Sequence, residues 1–245
     1  MRLSFDLDLP TKNLLTAVIC IPIFLFFIDS LIYSYQFEIH KKLRVLFDIT
    51  LEANVPTWYS SLIAFITGLA GLLIVQHYKA LKKQSKMLIW LLISLFFIYM
   101  SIDDTSQFHE RVATVWSKHA KANNTAAVGL LNSFESYYWQ LLFLPFFALI
   151  GLAMLYVIKT EFKVKQAQWF FIAGLSCFVL AVALDYIDGV DSYYDALIQM
   201  YGFNFQALEH FSRAFEEMTE MIGLGFILTA FLLHRDYLLK TKTDA

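Results

Sequence analysis

The sequence predicts an all-α integral membrane protein, a helical bundle of about six transmembrane helices. Its composition is the first indication, because 58% of the 245 residues are hydrophobic and only 16% are charged. Soluble domains carry about a quarter charged residues, and a chain so poor in charge cannot cover a water-facing surface. The apolar runs are also long and continuous, without the period-two alternation of membrane strands. These features exclude disordered and disulfide-scaffold proteins and argue against an ordinary soluble enzyme.

Six stretches approach the roughly 20 apolar residues that a helix needs to cross a bilayer. The predicted spans are residues 14–35, 58–75, 87–104, 137–158, 169–186 and 211–233. We expect them to form a single transmembrane domain over residues 1–245. Between the spans, residues 37–56 and 106–136 are expected to contain interfacial helices, and residues 187–205 form a shorter segment.

The basic residues predict the orientation of the bundle. With six spans, Lys and Arg favour the side of the two termini by about two to one, which the positive-inside rule assigns to the cytoplasm. The formal net charge is only −2, so nothing indicates a nucleic-acid partner. The expected partners are therefore the lipid bilayer and a hydrophobic small-molecule or lipid substrate, and the oligomeric state stays open.

Acidic residues occur where several apolar runs stop short of a full crossing. Such short runs cover about 20–24 Å of a hydrocarbon core about 30 Å thick, so these acids should lie inside the membrane or at its edge. Under the predicted orientation, all of them fall in the outer half of the bilayer. The acids are Asp29, Asp103, Asp104, Asp185, Asp188, Glu216, Glu217 and Glu220, and Glu52 precedes the second span.

So many acids at one depth require compensation. An ionised carboxylate in hydrocarbon costs at least about 2.5 kcal/mol on insertion scales. Arg213 and Arg111 are the nearby basic residues, and the acids outnumber them. A bound cation is the simplest way to balance the remaining charge. Carboxylates combined with one or two imidazoles suit a transition metal, so we expect Zn, Fe or Mn as the cofactor.

The predicted site draws on two helices and their flanking segments. The predicted metal ligands are Asp103, His109, Glu110, Glu216 and Glu220. The predicted catalytic residues are Glu217 and Asp104. The predicted supporting residues are Glu52, Arg213, His210, Asp185 and Tyr138.

Helical spacing adds detail to the first of these helices. If the helix continues, Asp103, Gln107 and Glu110 share one face, and His109 points about 120° away from it. A break in the helix at the membrane edge would change that direction. A plainer alternative is that this segment is only a polar helix end leaving the membrane.

Three functional classes remain open at this stage. A metal-dependent membrane enzyme would polarise a lipid-soluble substrate or activate water or oxygen. A transporter or channel would use the same acids to pass protons or cations. A non-catalytic sensor or assembly subunit would use them to hold a partner. The sequence lacks His-Glu-x-x-His and Gly-x-Ser-x-Gly motifs, so no familiar catalytic signature decides between these classes.

Two local patterns carry a family resemblance. The first is the segment from Glu52 to Trp58, Glu-Ala-Asn-Val-Pro-Thr-Trp, and the second is Asp103-Asp104 followed by His109-Glu110. Together they resemble an uncharacterised group of bacterial multi-pass membrane proteins with a Leu-Asp-Glu-x4-His-Glu segment. Here Asp104 stands in place of that group's Glu. The resemblance implies a bacterial cytoplasmic (inner) membrane and supports the choice of site residues, without supplying a reaction.

Overall fold

The protein is all-helical in its described part and has six helices long and apolar enough to cross a membrane. This finding confirms the predicted fold class. A computed structural model describes residues 9–35, 41–123, 125, 127–134, 136–202 and 204–243. The orientation of the termini and the extent of a single domain stay predictions, and the N-terminal residues 1–8 lie outside the described residues.

The long helices occupy the predicted spans but extend beyond them. Backbone hydrogen bonding continues past the last apolar residue, whereas the predicted spans end where charge begins. Shorter helices fill the segments expected to be interfacial and the segment before the last span. In chain order the helices are α1 (Leu9–Tyr35), α2 (Lys41–Phe47), α3 (Val55–Ala80), α4 (Gln84–Ser106), α5 (Phe108–Ala122), α6 (Ala127–Ser133), α7 (Tyr138–Thr160), α8 (Lys165–Asp188), α9 (Asp191–Tyr201) and α10 (Phe205–Thr243).

Helix α10 is the central element of the packing. It contacts α8, α3 and α1, and α3 packs closely against α4. Small residues allow these close approaches, and Gly68 of α3 is one of them. A Cβ atom on Gly68 would lie 2.6 Å from Ile98 Cγ1 and 3.0 Å from the Ser94 carbonyl oxygen. The backbones of α3 and α4 are therefore too close at this level for a larger residue.

The two ends of the bundle differ in charge. We call the end with the C-termini of α4 and α8 the acidic end, and the end with the α3–α4 loop, the α7–α8 loop and the α10 C-terminus the basic end. Trp90 of α4, Phe171 of α8, Phe231 of α10 and Phe162 of the α7–α8 loop pack together as the aromatic layer, and all are at most 2% exposed. Ring centroids in this layer lie 5.0–6.0 Å apart. The aromatic layer fills the bundle nearer its basic end.

Helix α7 packs mainly against α5 and α4 and touches α8 much less. Several of its large apolar side chains are exposed, including Leu149 and Leu152. This loose packing leaves space between α7 and the rest of the bundle on the acidic side of the aromatic layer.

Candidate functional site

A cavity of about 1050 Å³ lies at the acidic end. Its walls come from α4, α5, α7, α8 and α10, with the segment before α3 at one edge. All of the predicted site residues except His210 line it, although they come from distant parts of the chain. They are Glu52, Asp103, Asp104, His109, Glu110, Tyr138, Asp185, Arg213, Glu216, Glu217 and Glu220.

A helix break brings the first group of these residues together. Gln107 ends α4 in the left-handed conformation, with φ of 50°, and α5 starts at the next residue. The expectation that Asp103, Gln107 and Glu110 share one continuous helical face is therefore wrong. The break redirects the chain, so that His109 turns back towards α4 instead of away from it.

The Asp103 carboxylate is held on both oxygens. Its Oδ1 accepts hydrogen bonds from the backbone N–H of His109 at 2.9 Å and from the Tyr99 hydroxyl at 3.2 Å. Its Oδ2 lies 2.5 Å from His109 Nδ1. Burial would lower the pKa of His109, but the hydrogen bond and the negative charge of Asp103 raise it overall. Asp103 therefore anchors the start of α5 and fixes the imidazole.

Three acids of α10 have no ion-pair partner among the described residues. Glu216, Glu217 and Glu220 line the cavity and make no hydrogen bond or ion pair with any other described residue. The carboxyl group of Asp104 in α4 is close enough to Glu220 and Glu52 to be repelled by their negative charge. Its Oδ2 atom is buried and has no hydrogen-bond partner among the described residues. This wall of the cavity thus has carboxyl groups from two helices, and those of Glu216, Glu217 and Glu220 have no hydrogen-bond partner among the described residues.

The guanidinium of Arg213 is paired with two other acids, at the edge of the cavity. Its Nε donates to Asp188 Oδ2 at 2.8 Å, and a second nitrogen lies 3.2 Å from Glu209. The hydroxyls of Tyr137 and Tyr194 also donate to Asp188, at 2.8 and 2.7 Å. Arg213 therefore belongs to a network that joins α8, α9 and α10.

Two further predicted residues have more local roles. Asp185 accepts a hydrogen bond from Gln140 Nε2 at 2.8 Å, which links α8 to α7. The Tyr138 hydroxyl accepts from Lys121 Nζ at 2.9 Å, so its closest polar partner is a lysine of α5 and not an acid.

Glu52 and His210 lie at the margins of the site or outside it. Glu52 is exposed at the edge of the cavity, yet limited hydration and the repulsion from Glu110 raise its pKa to about 7. His210 lies outside the cavity lining. Its Nε2 is 2.8 Å from Asp29 Oδ2, and its ring stacks on Tyr33 with centroids 3.9 Å apart. His210 therefore joins α10 to α1.

The polar lining also includes residues that the sequence did not single out as site members. Asp188 and Tyr137 form the Arg213 network, Gln140 holds Asp185, and Trp139 packs edge-on against the His109 ring at 4.8 Å. The only sequence signal for the residues of α7 was the aromatic Tyr-Tyr-Trp run, which also suits a membrane interface.

A metal site is not preformed in the described part of the chain. There, no group of three His, Cys, Asp or Glu side chains is arranged to hold a metal ion. The Zn, Fe or Mn site thus stays a prediction.

Comparison with known proteins gives a family but no activity. The family model described as "Domain of unknown function (DUF8692)" matches residues 14–234. No curated protein and no solved structure matches the chain. The match covers all six long helices in whole or in large part and both motif segments. The chain therefore belongs to the DUF8692 family, a family of unknown function, which agrees with the prediction of an uncharacterised family.

Proposed function

We propose that this protein is a membrane enzyme that binds a lipid-soluble substrate in the cavity and acts on it with a metal ion held by the acids of the cavity wall. One observation carries the proposal. A single cavity joins a wall of unpaired carboxyl groups to a wall of apolar side chains. Such a cavity suits a molecule with a polar head and a long apolar part.

The apolar wall supports entry from the bilayer. Leu144 of α7 and Val179 of α8 line the cavity and are also 42% and 71% exposed. Side chains that border both the cavity and the outer surface of a membrane bundle mark a lateral opening. Gly151 lies along the same wall, and an added Cβ there would meet no atom within 4 Å. A lipid chain could therefore pass between α7 and α8.

The contacts of His109 support the metal part of the proposal. Metal-binding histidines usually hold a carboxylate with the ring nitrogen that does not bind the metal. Asp103 contacts Nδ1 of His109, so Nε2 is the nitrogen available to a metal. Asp103 would then be a positioning residue, although the sequence predicts it as a ligand. The remaining ligands would come from Glu110, Glu216 and Glu220.

The chemistry follows from these assignments. When bound, the metal would polarise a polar group of the substrate or activate water. Glu217 and Asp104, which line the cavity with the proposed ligands, would hold or release a proton as general acid or base. Because the described residues include no set of three side chains already arranged to hold a metal ion, side chains of α10 would have to move towards the ion when it binds.

A through-going pathway for protons or cations has less support. The aromatic layer, from α4, α8, α10 and the α7–α8 loop, packs the bundle on the basic-end side of the cavity, and its side chains are at most 2% exposed. A transporter would have to move this layer, whereas an enzyme fed from the bilayer would not.

Photocrosslinking tests substrate entry. The protein is reconstituted in nanodiscs with a phospholipid whose acyl chain carries a diazirine, and the labelled residues are mapped by mass spectrometry. Met154 and Phe97 line the cavity but are at most 2% exposed, so their labelling requires a chain inside it. Leu149, exposed on the outside of α7, reports contact with surrounding lipid.

The matched variants are Gly151→Trp, which fills the cavity, and Gly129→Trp in α6, where an added Cβ also meets nothing within 4 Å. We expect labelling of Met154 in the wild type and in Gly129→Trp, and a loss of about tenfold in Gly151→Trp with Leu149 unchanged. An unlabelled Met154 in the wild type, or equal labelling in both variants, would overturn substrate entry.

A further inference from the structure

A second cavity, of about 370 Å³, lies at the basic end, on the far side of the aromatic layer. It is formed by the ends of α3, α4, α7 and α10 and by the α3–α4 and α7–α8 loops. The proposed enzyme activity makes no use of it. Its polar lining residues are His77, Tyr78, Lys83, Lys86, Thr160, Glu161, Lys163, Tyr237 and Thr241.

The charge of this cavity is positive. Three lysines line it, and Glu161 is the one acid among its lining residues. Glu161 is 8% exposed and already neutralised, because Lys86 Nζ lies 2.8 Å from Oε1 and the Tyr78 hydroxyl donates to Oε2 at 2.6 Å. Lys83 and Lys163 are exposed, and their charge is left for an anion.

Helix geometry adds to this positive potential. Lys83 is the N-cap residue of α4 and Lys86 lies in its first turn, so the start of this 23-residue helix borders the cavity. The N-cap residue Lys83 makes no capping hydrogen bond with its side chain. The free N–H groups of a helix start favour a negative charge.

The rest of the lining suits a lipid and not only a small anion. Leu81 and Leu238 line the cavity beside the hydroxyls of Thr160 and Thr241. The cavity also lies at the ends of spanning helices, where phospholipid headgroups are found. Basic pockets between transmembrane helices commonly bind anionic headgroups.

We propose that this basic-end cavity binds the phosphate group of an anionic membrane phospholipid. Lys83 and Lys163 would contact the phosphate, and Lys86 would be held beside it by Glu161. Leu81 and Leu238 would contact the first part of the acyl chains.

Native mass spectrometry of the full chain tests the proposal. Protein released from mixed micelles of phosphatidylglycerol and phosphatidylcholine is compared with a Lys83→Gln/Lys163→Gln variant. The control is Lys159→Gln/Lys240→Gln, which removes the same charge from exposed residues at the same end but outside the cavity. A Lys83→Arg/Lys163→Arg variant keeps the charge and checks that the fold tolerates change at both positions.

We expect the wild type, the control and the arginine variant to retain phosphatidylglycerol in preference to phosphatidylcholine. The affinity for phosphatidylglycerol should fall about tenfold or more in Lys83→Gln/Lys163→Gln. Equal losses in both glutamine variants would show only a general surface charge effect and would overturn the proposal. Inorganic phosphate that binds as tightly as the lipid, or displaces it at equal concentration, would assign the site to a soluble anion and overturn it too.

Discussion

The imidazole of His109 returns to the carboxylate of Asp103 across a break in the helix, with Nδ1 2.5 Å from Oδ2. The left-handed backbone of Gln107 makes this contact possible. The same Asp103 carboxylate accepts the His109 backbone N–H, so it both caps α5 and orients the ring. This part of the cavity wall therefore depends on one buried acid.

Asp103→Asn tests this dependence. The amide loses the negative charge that holds the imidazole, and a hydrogen bond to a charged group contributes about 1.5–3 kcal/mol. We expect the free energy of unfolding to fall by about that amount, measured by thermal or denaturant unfolding in detergent. Asp195→Asn, at an exposed acid of α9, is the control and should leave stability unchanged. Equal stability of the two variants would contradict the anchoring role.

The pairing of Arg213 with Asp188 predicts that the two side chains stabilise the protein jointly, so that the effects of replacing them are not additive. Asp188 has 4% side-chain exposure and accepts bonds from Arg213, Tyr137 and Tyr194. Removing the guanidinium leaves a buried carboxylate short of a partner, so Arg213→Gln should cost about 1–3 kcal/mol. A double-mutant cycle with Asp188→Asn should give an interaction energy above about 0.5 kcal/mol. Additive effects would mean that the two side chains do not stabilise each other.

Gly68→Ala tests the close packing of α3 on α4. The added methyl group would lie 3.0 Å from the Ser94 carbonyl oxygen, which belongs to the backbone and cannot turn aside. Overpacking of this kind costs about 1–3 kcal/mol. Gly129→Ala, in open space, should not destabilise the protein. If both variants unfold at the same temperature, the helices are farther apart than described.

The Glu161 ion pair predicts a dependence of stability on pH. Burial alone would raise the pKa of Glu161, but hydrogen bonds from Lys86 and Tyr78 outweigh it and lower the pKa below the ordinary value of 4.5. The ionised Glu161 carboxylate therefore contributes fully to the free energy of unfolding above about pH 4.5. This contribution is lost as the pH falls through the lower pKa of Glu161 in the folded protein. Unfolding measured between pH 7 and pH 3 should show this loss.

Glu161→Gln should be less stable than the wild type at pH 7, and the difference should shrink as the pH falls. Asp236→Asn, at a 49% exposed acid of the same end, provides the control and should keep the wild-type pH profile. A constant difference between Glu161→Gln and the wild type across this range would show that the carboxylate charge contributes no stability.

The six spans and the meeting of the acids could be predicted from the sequence. Apolar runs long enough to cross a bilayer can be recognised in the sequence. Runs that stop early at acids predict that those acids lie at a common depth. That argument needs no side-chain contacts, and Asp104, Glu217 and Glu220 all line one cavity in the structure.

The pairings within the site could not be predicted in this way. The sequence around Gln107 does not indicate a left-handed residue, because the left-handed residue at the end of a helix is usually Gly or Asn. His210 sits among acids in the sequence, but its partner is Asp29, 181 residues earlier. The cavity itself depends on how loosely α7 packs against α8, which composition does not determine.

Elemental analysis of the purified protein tests the proposed function most directly. The protein is stripped with a chelator, incubated with Zn, Fe or Mn, and analysed beside His109→Ala, Glu220→Gln and the Asp195→Asn control. We predict about one equivalent of a single transition metal in the wild type and control, and a loss of about tenfold or more in the two site variants. Less than about a tenth of an equivalent of every metal in the wild type, or equal content in all four proteins, would contradict the proposed metal site.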